Sequence, residues 1–503
     1  MKPELAYLLT RPFWLDEWHT ALVANRASLT QVFSDLRAAS DMGPPVLHVI
    51  AWSVARLTGG VLTPVAARVI SLVSVLLALV FVFLVLRRRF GNAASLAGAL
   101  AVVSHQAVLA HAFELRYYCL WLAFAAGVAW ALGSDHDQPR SGRRDVAVAI
   151  LAVLLCLTHW LAAMSLGLLC LGAMASFGHR WRAGLRRVLP AGVGFLALAL
   201  ALPLVLAQRA AVREQSWMPD VTLRDAQVTA SVYWYREALI FVLFLVLAGL
   251  MLSRFRYQVR LSATSAIRDP GTAALLALFA LPLLMAILST VYPAMHLRYS
   301  ITTVLAWAPL VAMVVEPLVR TRGGWLAMTT LRAASVLVFV VMLVYLWAAG
   351  LSLAFDASRF SASVADGRRA LARGCGMKLP VVFQVRHLMY PSTNGPPAST
   401  RRSACDTRYL AVSNATLERM FPAGSHLPRF YRFENEIARL HERLYGYPRV
   451  STQSQLDSVP RFLVVGWDES FQDQRTVQAF GKAVFPNYRV TRITADLAVF
   501  ERR

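Results

Sequence analysis

Acidic residues are scarce in this chain. Against 51 Lys and Arg stand only 28 Asp and Glu, a net charge of +23 over 503 residues. So basic a composition first suggests a nucleic-acid partner. The arginines, far more numerous than the lysines, instead cluster in short loops between apolar runs. That is the positive-inside bias facing an anionic inner leaflet, and no nucleic acid is expected as a partner. No series of Asp or Glu crosses the apolar runs, which argues against a proton-coupled carrier. Cysteine is sparse: five residues and no C-x-x-C pattern, so no zinc ribbon is encoded. Cys119, Cys156 and Cys170 fall in apolar runs and serve as small hydrophobes. Cys375 and Cys405 lie in a polar region and could pair if it is exoplasmic; the loop-entropy model gives such a bridge roughly 3–4 kcal/mol. A signal peptide is also missing, since the first ten residues, MKPELAYLLT, are too short to span a bilayer.

What the chain has in excess is apolar sequence, 57% of its residues, with a mean hydropathy of +0.51. The runs predict about ten transmembrane helices, over 64–86, 93–110, 117–133, 146–158, 160–177, 189–208, 233–252, 271–290, 300–317 and 328–350. Every second loop is arginine-rich (87–89, 140–144, 180–187, 254–268 and 320–322), so these loops are expected on the cytoplasmic side. The alternate loops, 111–116, the turn at 159, 209–232 and 291–299, hold His, Glu, Asp, Arg and Tyr and are expected outside. Residues 1–63 then form an exoplasmic segment with two interfacial helices, near 16–27 and 44–58, the second opened by Pro44-Pro45.

Beyond the bundle of residues 64–355 the composition turns polar. Residues 356–503 carry short β-like runs at 381–383, 409–412, 461–465 and 489–493, with helical patterns near 361–373, 433–444 and 470–482. Strands alternating with helices predict a small soluble α/β domain on the exoplasmic side. The fold class is therefore an α-helical polytopic membrane protein with a C-terminal soluble α/β domain.

The residues able to carry chemistry collect on the outer side. Asp16-Glu17 are adjacent carboxylates within Phe13-Trp14-Leu15-Asp16-Glu17-Trp18-His19. They suit either a helix start, where the dipole favours acids, or a general base in a partly apolar site. His19 is a candidate metal or acceptor ligand, as are His48, in the stretch 41–48, and His111. Arg116 and Arg298 each stand at the outer start of a span and each precedes a tyrosine, Tyr117 and Tyr299. An arginine at a helix start opposes the dipole and needs a partner, either a neighbouring carboxylate or a bound phosphate. His159 reads by default as an interfacial residue.

Taken in order, Trp14-Leu15-Asp16-Glu17, Pro44-Pro45-Val46-Leu47-His48, Ala66-Ala67-Arg68-Val69, Glu114-Leu115-Arg116-Tyr117, Thr158-His159-Trp160 and Leu297-Arg298-Tyr299 resemble the glycosyltransferase C superfamily. The likeness is to its protein O-mannosyltransferase and aminoarabinose transferase type, over about residues 1–320. It implies a bacterial inner-membrane enzyme with a periplasmic C-terminal domain. Such an enzyme takes a hexosyl or pentosyl group from a polyprenyl-phosphate donor and transfers it with inversion to a glycan, lipid or protein acceptor. It further implies Asp16 as general base with Glu17 beside it, and Arg116, Tyr117, Arg298 and Tyr299 around the donor phosphate. His48, His111 and His19 would serve the acceptor or a divalent metal ion. The family carries a full transmembrane helix before its Asp-Glu loop, whereas fifteen residues precede Asp16 here. An O-antigen ligase or polymerase would rest on a large central outer loop. A lipid-linked glycan transporter would show paired repeats and charges inside its spans.

Overall fold

A computed structural model describes residues 3–13, 15–133, 142–211, 264, 267–291, 297–320, 348, 364–365, 367–384, 389, 406–420, 427–445, 449–466, 474–493 and 497–503. Four short helices open the chain: α1 (Pro3–Thr10), α2 (Leu15–Ala24), α3 (Leu29–Arg37) and α4 (Pro45–Leu57). α2 and α4 are the two expected interfacial helices; α1 and α3 add to them. Local chemistry sets their ends. Ser28 caps α3 by accepting the Gln31 N–H, and Pro45 fills the first turn of α4, where a missing N–H costs nothing.

α3 ends unusually. Ala39 takes a left-handed φ of 61°, a conformation that sterics make costly for a residue with a Cβ. The Ala39 N–H reaches Leu36 O and the Ser40 N–H reaches Asp35 O, which makes this a Schellman motif with alanine where glycine is usual. Asp41 follows directly.

The bundle begins with α5 (Pro64–Leu86), capped by Thr63 and, at about 1.5 Å per residue, long enough to cross a bilayer. Next come α6 (Asn92–Ser104), α7 (Gln106–Ala112), α8 (Tyr118–Leu132), α9 (Gly142–Cys156) and α10 (Ala162–Ala175). Among the described residues four helical segments are long and apolar enough to span: Pro64–Leu86, Gly178–Ala211, Pro270–Ser289 and Arg298–Glu316. α6 and α7 make a fifth, bent by 67°. The expected straight run over 93–110 is thus a broken one. His105 adopts an extended conformation at the break and its Nδ1 accepts the Ala107 N–H, starting α7 afresh. Of the ten expected spans, 233–252 lies outside the described residues, and so does all of 328–350 except residue 348. The other eight all fall on helix, and the chain is a multi-pass membrane protein.

Small residues let these helices approach. A Cβ at Gly98 would lie 2.5 Å from Ala308 O, so α6 and the helix Trp307–Arg320 meet backbone to backbone. Without a hydrophobic drive between helices in lipid, such close packing is what holds a bundle together.

The C-terminal part is an α/β unit around a six-stranded sheet: β1 (Val381–Phe383), β2 (Thr407–Ala411), β3 (Arg449–Thr452), β4 (Arg461–Val465), β5 (Tyr488–Arg492) and β6 (Leu497–Arg502). The order is β3-β2-β1-β4-β6-β5; the first four in that order run parallel, and β6 and β5 close the sheet antiparallel. Phe462 and Val464 enter one core layer while Leu463 and Val465 enter the other, so helices cover both faces. β3 and β6 were not legible as strands. Cys375 is disulfide-bonded, and Cys119, Cys156 and Cys170 are free thiols; Cys405 lies outside the described residues.

Candidate active site

Asp16 and Glu17 occupy the first turn of α2, but their environments differ sharply. Glu17 is fully buried. Its Oε2 meets Arg68 Nη2 of α5 at 3.1 Å and its Oε1 accepts the Leu115 N–H at 2.8 Å. Arg68, equally buried, also donates to Pro64 O and Pro12 O. Both Glu17 oxygens are therefore engaged in joining α2 to α5 and to the loop before α8. The Asp16 side chain is 22% exposed, and its Oδ2 lies 3.0 Å from Arg298 Nη1.

Arg298 starts a ten-residue 3-10 stretch, Leu297–Ala306. Such long runs are uncommon, and this one leads directly into the helix Trp307–Arg320. The Arg298 guanidinium sits over the rings of Tyr118 and Tyr299 at 5.7 and 5.8 Å. Arg116 comes from the loop between α7 and α8. Its Nη1 donates to Asp16 O at 2.9 Å, to Thr20 Oγ1 at 3.1 Å and to the Asp41 carboxylate at 3.4 Å. Its Nη2 reaches the Tyr117 hydroxyl at 3.4 Å, and its buried Nε has no hydrogen-bond partner among the described residues. Arg298 thus meets the Asp16 carboxylate, while Arg116 meets the Asp16 backbone carbonyl and the Asp41 carboxylate.

Asp41 is the group that sequence reasoning left aside. It accepts from Thr20 Oγ1 at 2.7 Å and from His48 Nε2 at 2.9 Å, and pairs with Arg116. Burial alone would raise its pKa, but the Arg116 guanidinium and His48 hold it well below the usual carboxylate range. Burial likewise opposes the charge on Arg116, and Asp41, Tyr117 and Asp16 more than restore it. The other ring nitrogen of His48 faces Pro44 O at 3.0 Å. His111 pairs with Glu114 at 2.7 Å, and His19 packs edge-on to His441 with ring centres 5.0 Å apart.

The remaining wall is aromatic. His159, in the turn between α9 and α10, stacks on Trp121 at 4.6 Å and lies 4.5 Å from Tyr117 and 5.0 Å from Tyr299. Its Nδ1 accepts the Leu161 N–H at 3.2 Å, which puts the proton of the neutral ring on Nε2. Burial, and beyond it Arg116 and Arg298, push its pKa down to about 3. The ring is therefore a neutral donor beside two cations. The signal in the sequence was its place in an outer turn opposite two arginine-bearing loops.

The structure thus brings Asp16, Arg116, Tyr117, Arg298 and Tyr299 together, with His48 one step behind through Asp41. His111 stands beside Tyr118 on the Glu114 side, their ring centres 4.4 Å apart. His19 faces the C-terminal unit. Among the described residues no group of three or more His, Cys, Asp or Glu side chains converges as metal ligands. Of the histidines named for a metal, His48 contacts Asp41, His111 contacts Glu114 and His19 packs against the ring of His441. Trp14 and residues 212–232 of the expected outer loop lie outside the described residues.

No protein-family model matches the sequence, and no curated protein matches it by sequence. Solved structures share the fold of this chain over nearly its whole length. Its structural neighbours include ArnT from Cupriavidus metallidurans bound to undecaprenyl phosphate. That match has a TM-score of 0.56 and 14% identity, and covers 99% of this chain and 95% of that one. The same protein in the apo state matches at 0.55 and 12% identity over the same shares.

Proposed function

We propose that this chain is an inverting glycosyltransferase that moves a hexosyl or pentosyl group from a polyprenyl-phosphate donor to an acceptor hydroxyl. It works at the periplasmic face of a bacterial inner membrane. The carrying observation is the Asp16–Arg298 pair at 3.0 Å with Arg116 bound to the same residue's carbonyl. A base is held beside two phosphate-binding forks. The shared fold with a protein bound to undecaprenyl phosphate supports the donor class. The disulfide at Cys375 supports an oxidising compartment for the C-terminal unit.

In this reading the acceptor oxygen attacks the anomeric carbon and the bond from that carbon to the phosphate oxygen breaks. The electron pair leaves with the polyprenyl phosphate, and the acceptor proton passes to Asp16. Arg298 and Arg116 neutralise the charge that grows on the phosphate. Asp16 is the base because its side chain keeps an open face, whereas Glu17 and Asp41 are buried and bound from several sides. Glu17 acts by holding α2 to Arg68. Tyr117, Tyr299 and His159 form the wall against the sugar or phosphate. No step is routed through a metal.

The test is transfer from a panel of radiolabelled polyprenyl-phosphate sugars to membrane extract by purified protein, wild type against Asp16→Asn. Transfer by wild type that is lost in a folded Asp16→Asn variant carries the reading. Binding of a long lipid-linked glycan without transfer of any monosaccharide would overturn it in favour of a ligase or transporter.

A further inference from the structure

The left-handed turn at Ala39 is tied shut by a residue more than 400 positions away. Tyr445, at the end of the helix Leu427–Tyr445 of the C-terminal unit, places its hydroxyl between the two ends of the Schellman motif. It donates to Asp35 Oδ2 at 2.8 Å and accepts from Ser40 Oγ at 2.6 Å. One turn earlier, His441 Nε2 donates to Ser40 O at 3.1 Å. Asp35 is further held by Arg26, whose guanidinium lies over the Tyr445 ring at 4.4 Å and donates to Leu444 O. Ala39 itself packs against Ile437 and Leu440 of the same helix.

The next residue after Ser40 is Asp41, which binds Arg116, Thr20 and His48. On the far side of the turn Gln208 donates to Gly43 O at 3.0 Å. An alanine in a glycine conformation does not hold itself there; what over-determines it is the Tyr445 hydroxyl and its neighbours.

We propose that Tyr445 is a positioning residue of the donor-phosphate site: by stapling the Ala39 turn it sets Asp41, and through Asp41 the orientation of the Arg116 guanidinium. The C-terminal unit is then part of the phosphate grip, although it contributes no group to the phosphate itself. The proposal rests on the reading of Arg116 as a phosphate ligand.

The experiment is a double-mutant cycle in the full-length protein reconstituted in nanodiscs. Tyr445→Phe removes one hydroxyl and leaves the ring packed on Arg26. Ala39→Gly makes the left-handed turn intrinsically easy, so the staple matters less. Binding of polyprenyl monophosphate is measured for wild type, both single variants and the double variant. Tyr445→Phe is expected to weaken binding about tenfold on the Ala39 background and no more than about twofold on the Ala39→Gly background. A protein that merely lost stability would show the same Tyr445→Phe effect on both backgrounds, and that result overturns the proposal. Hydrogen–deuterium exchange over residues 38–43 separates the two layers. If wild type binds no polyprenyl monophosphate, the donor reading fails. The staple then still requires faster exchange in Tyr445→Phe that slows again in the double variant, and unchanged exchange overturns it.

Discussion

The Asp16 carboxylate lies 3.0 Å from the Arg298 guanidinium, though 282 positions separate them in the chain. In the proposed reaction the donor phosphate would compete for the Arg298 guanidinium and leave the Asp16 carboxylate facing the acceptor. Asp16→Asn is expected to lower transfer by about 10²–10⁴-fold with the fold intact, since the amide takes no proton. Single-turnover transfer, with melting temperature as the folding control, checks it. Activity within a few-fold of wild type would move the base elsewhere.

Arg298→Lys keeps the charge but loses the planar fork and the stacking on Tyr118 and Tyr299. It should lower kcat/KM for the donor, and Arg298→Ala should cost about 10²-fold or more in kcat. Steady-state kinetics over donor concentration, at fixed acceptor, separate the two. Equal effects of Lys and Ala would point to geometry mattering little at this position.

Glu17 sits in a fully buried ion pair with Arg68, so its replacement should act on stability and not on chemistry. Glu17→Leu strands a buried guanidinium and is expected to cost about 3–5 kcal/mol. Adding Arg68→Met should recover much of that loss. Thermal unfolding in detergent of the two single variants and the pair tests it. A Glu17→Leu protein of normal stability with no activity would return Glu17 to the catalytic group.

His159 makes stability depend on pH. Its folded pKa of about 3 lies below the ordinary 6.5. Between those values the unfolded chain takes up a proton that the fold refuses, so stability is full above about pH 6.5 and falls towards pH 3. The loss is on the order of 5 kcal/mol in total. Asp41 works in a lower window: its folded pKa is depressed, so its contribution is full above about pH 4 and is lost only below that. The melting temperature of wild type should thus fall between pH 6.5 and 4, and His159→Gln should flatten that part of the profile. Parallel profiles would show that the ring is not buried in its neutral form.

Much of the bundle was legible because apolar length and arginine-rich loops are local signals; the run 64–86 is the helix Pro64–Leu86 to the residue. The break at His105 was not, since one histidine in an apolar run reads as nothing special until its ring is seen to start a second helix. Arg116 and Arg298, each followed by a tyrosine, stood out in the sequence because an arginine at a helix start opposes the dipole and needs a partner. Asp41 and His159 were passed over as turn residues because their partners are distant: Arg116, 75 positions on from Asp41, and an aromatic stack for His159.

By itself the sequence determined the membrane class, most helix positions and the collection of acids, arginines and histidines into the segments between apolar runs. Hydrophobic length and charge sign act within a few turns of chain and need no knowledge of the rest. Tertiary structure alone decided that adjacent Asp16 and Glu17 part ways, one towards Arg298 and the other into a buried pair with Arg68. It alone tied Tyr445 to the turn before Asp41. Which cation a carboxylate meets depends on how helices pack, and burial then makes that choice costly to reverse.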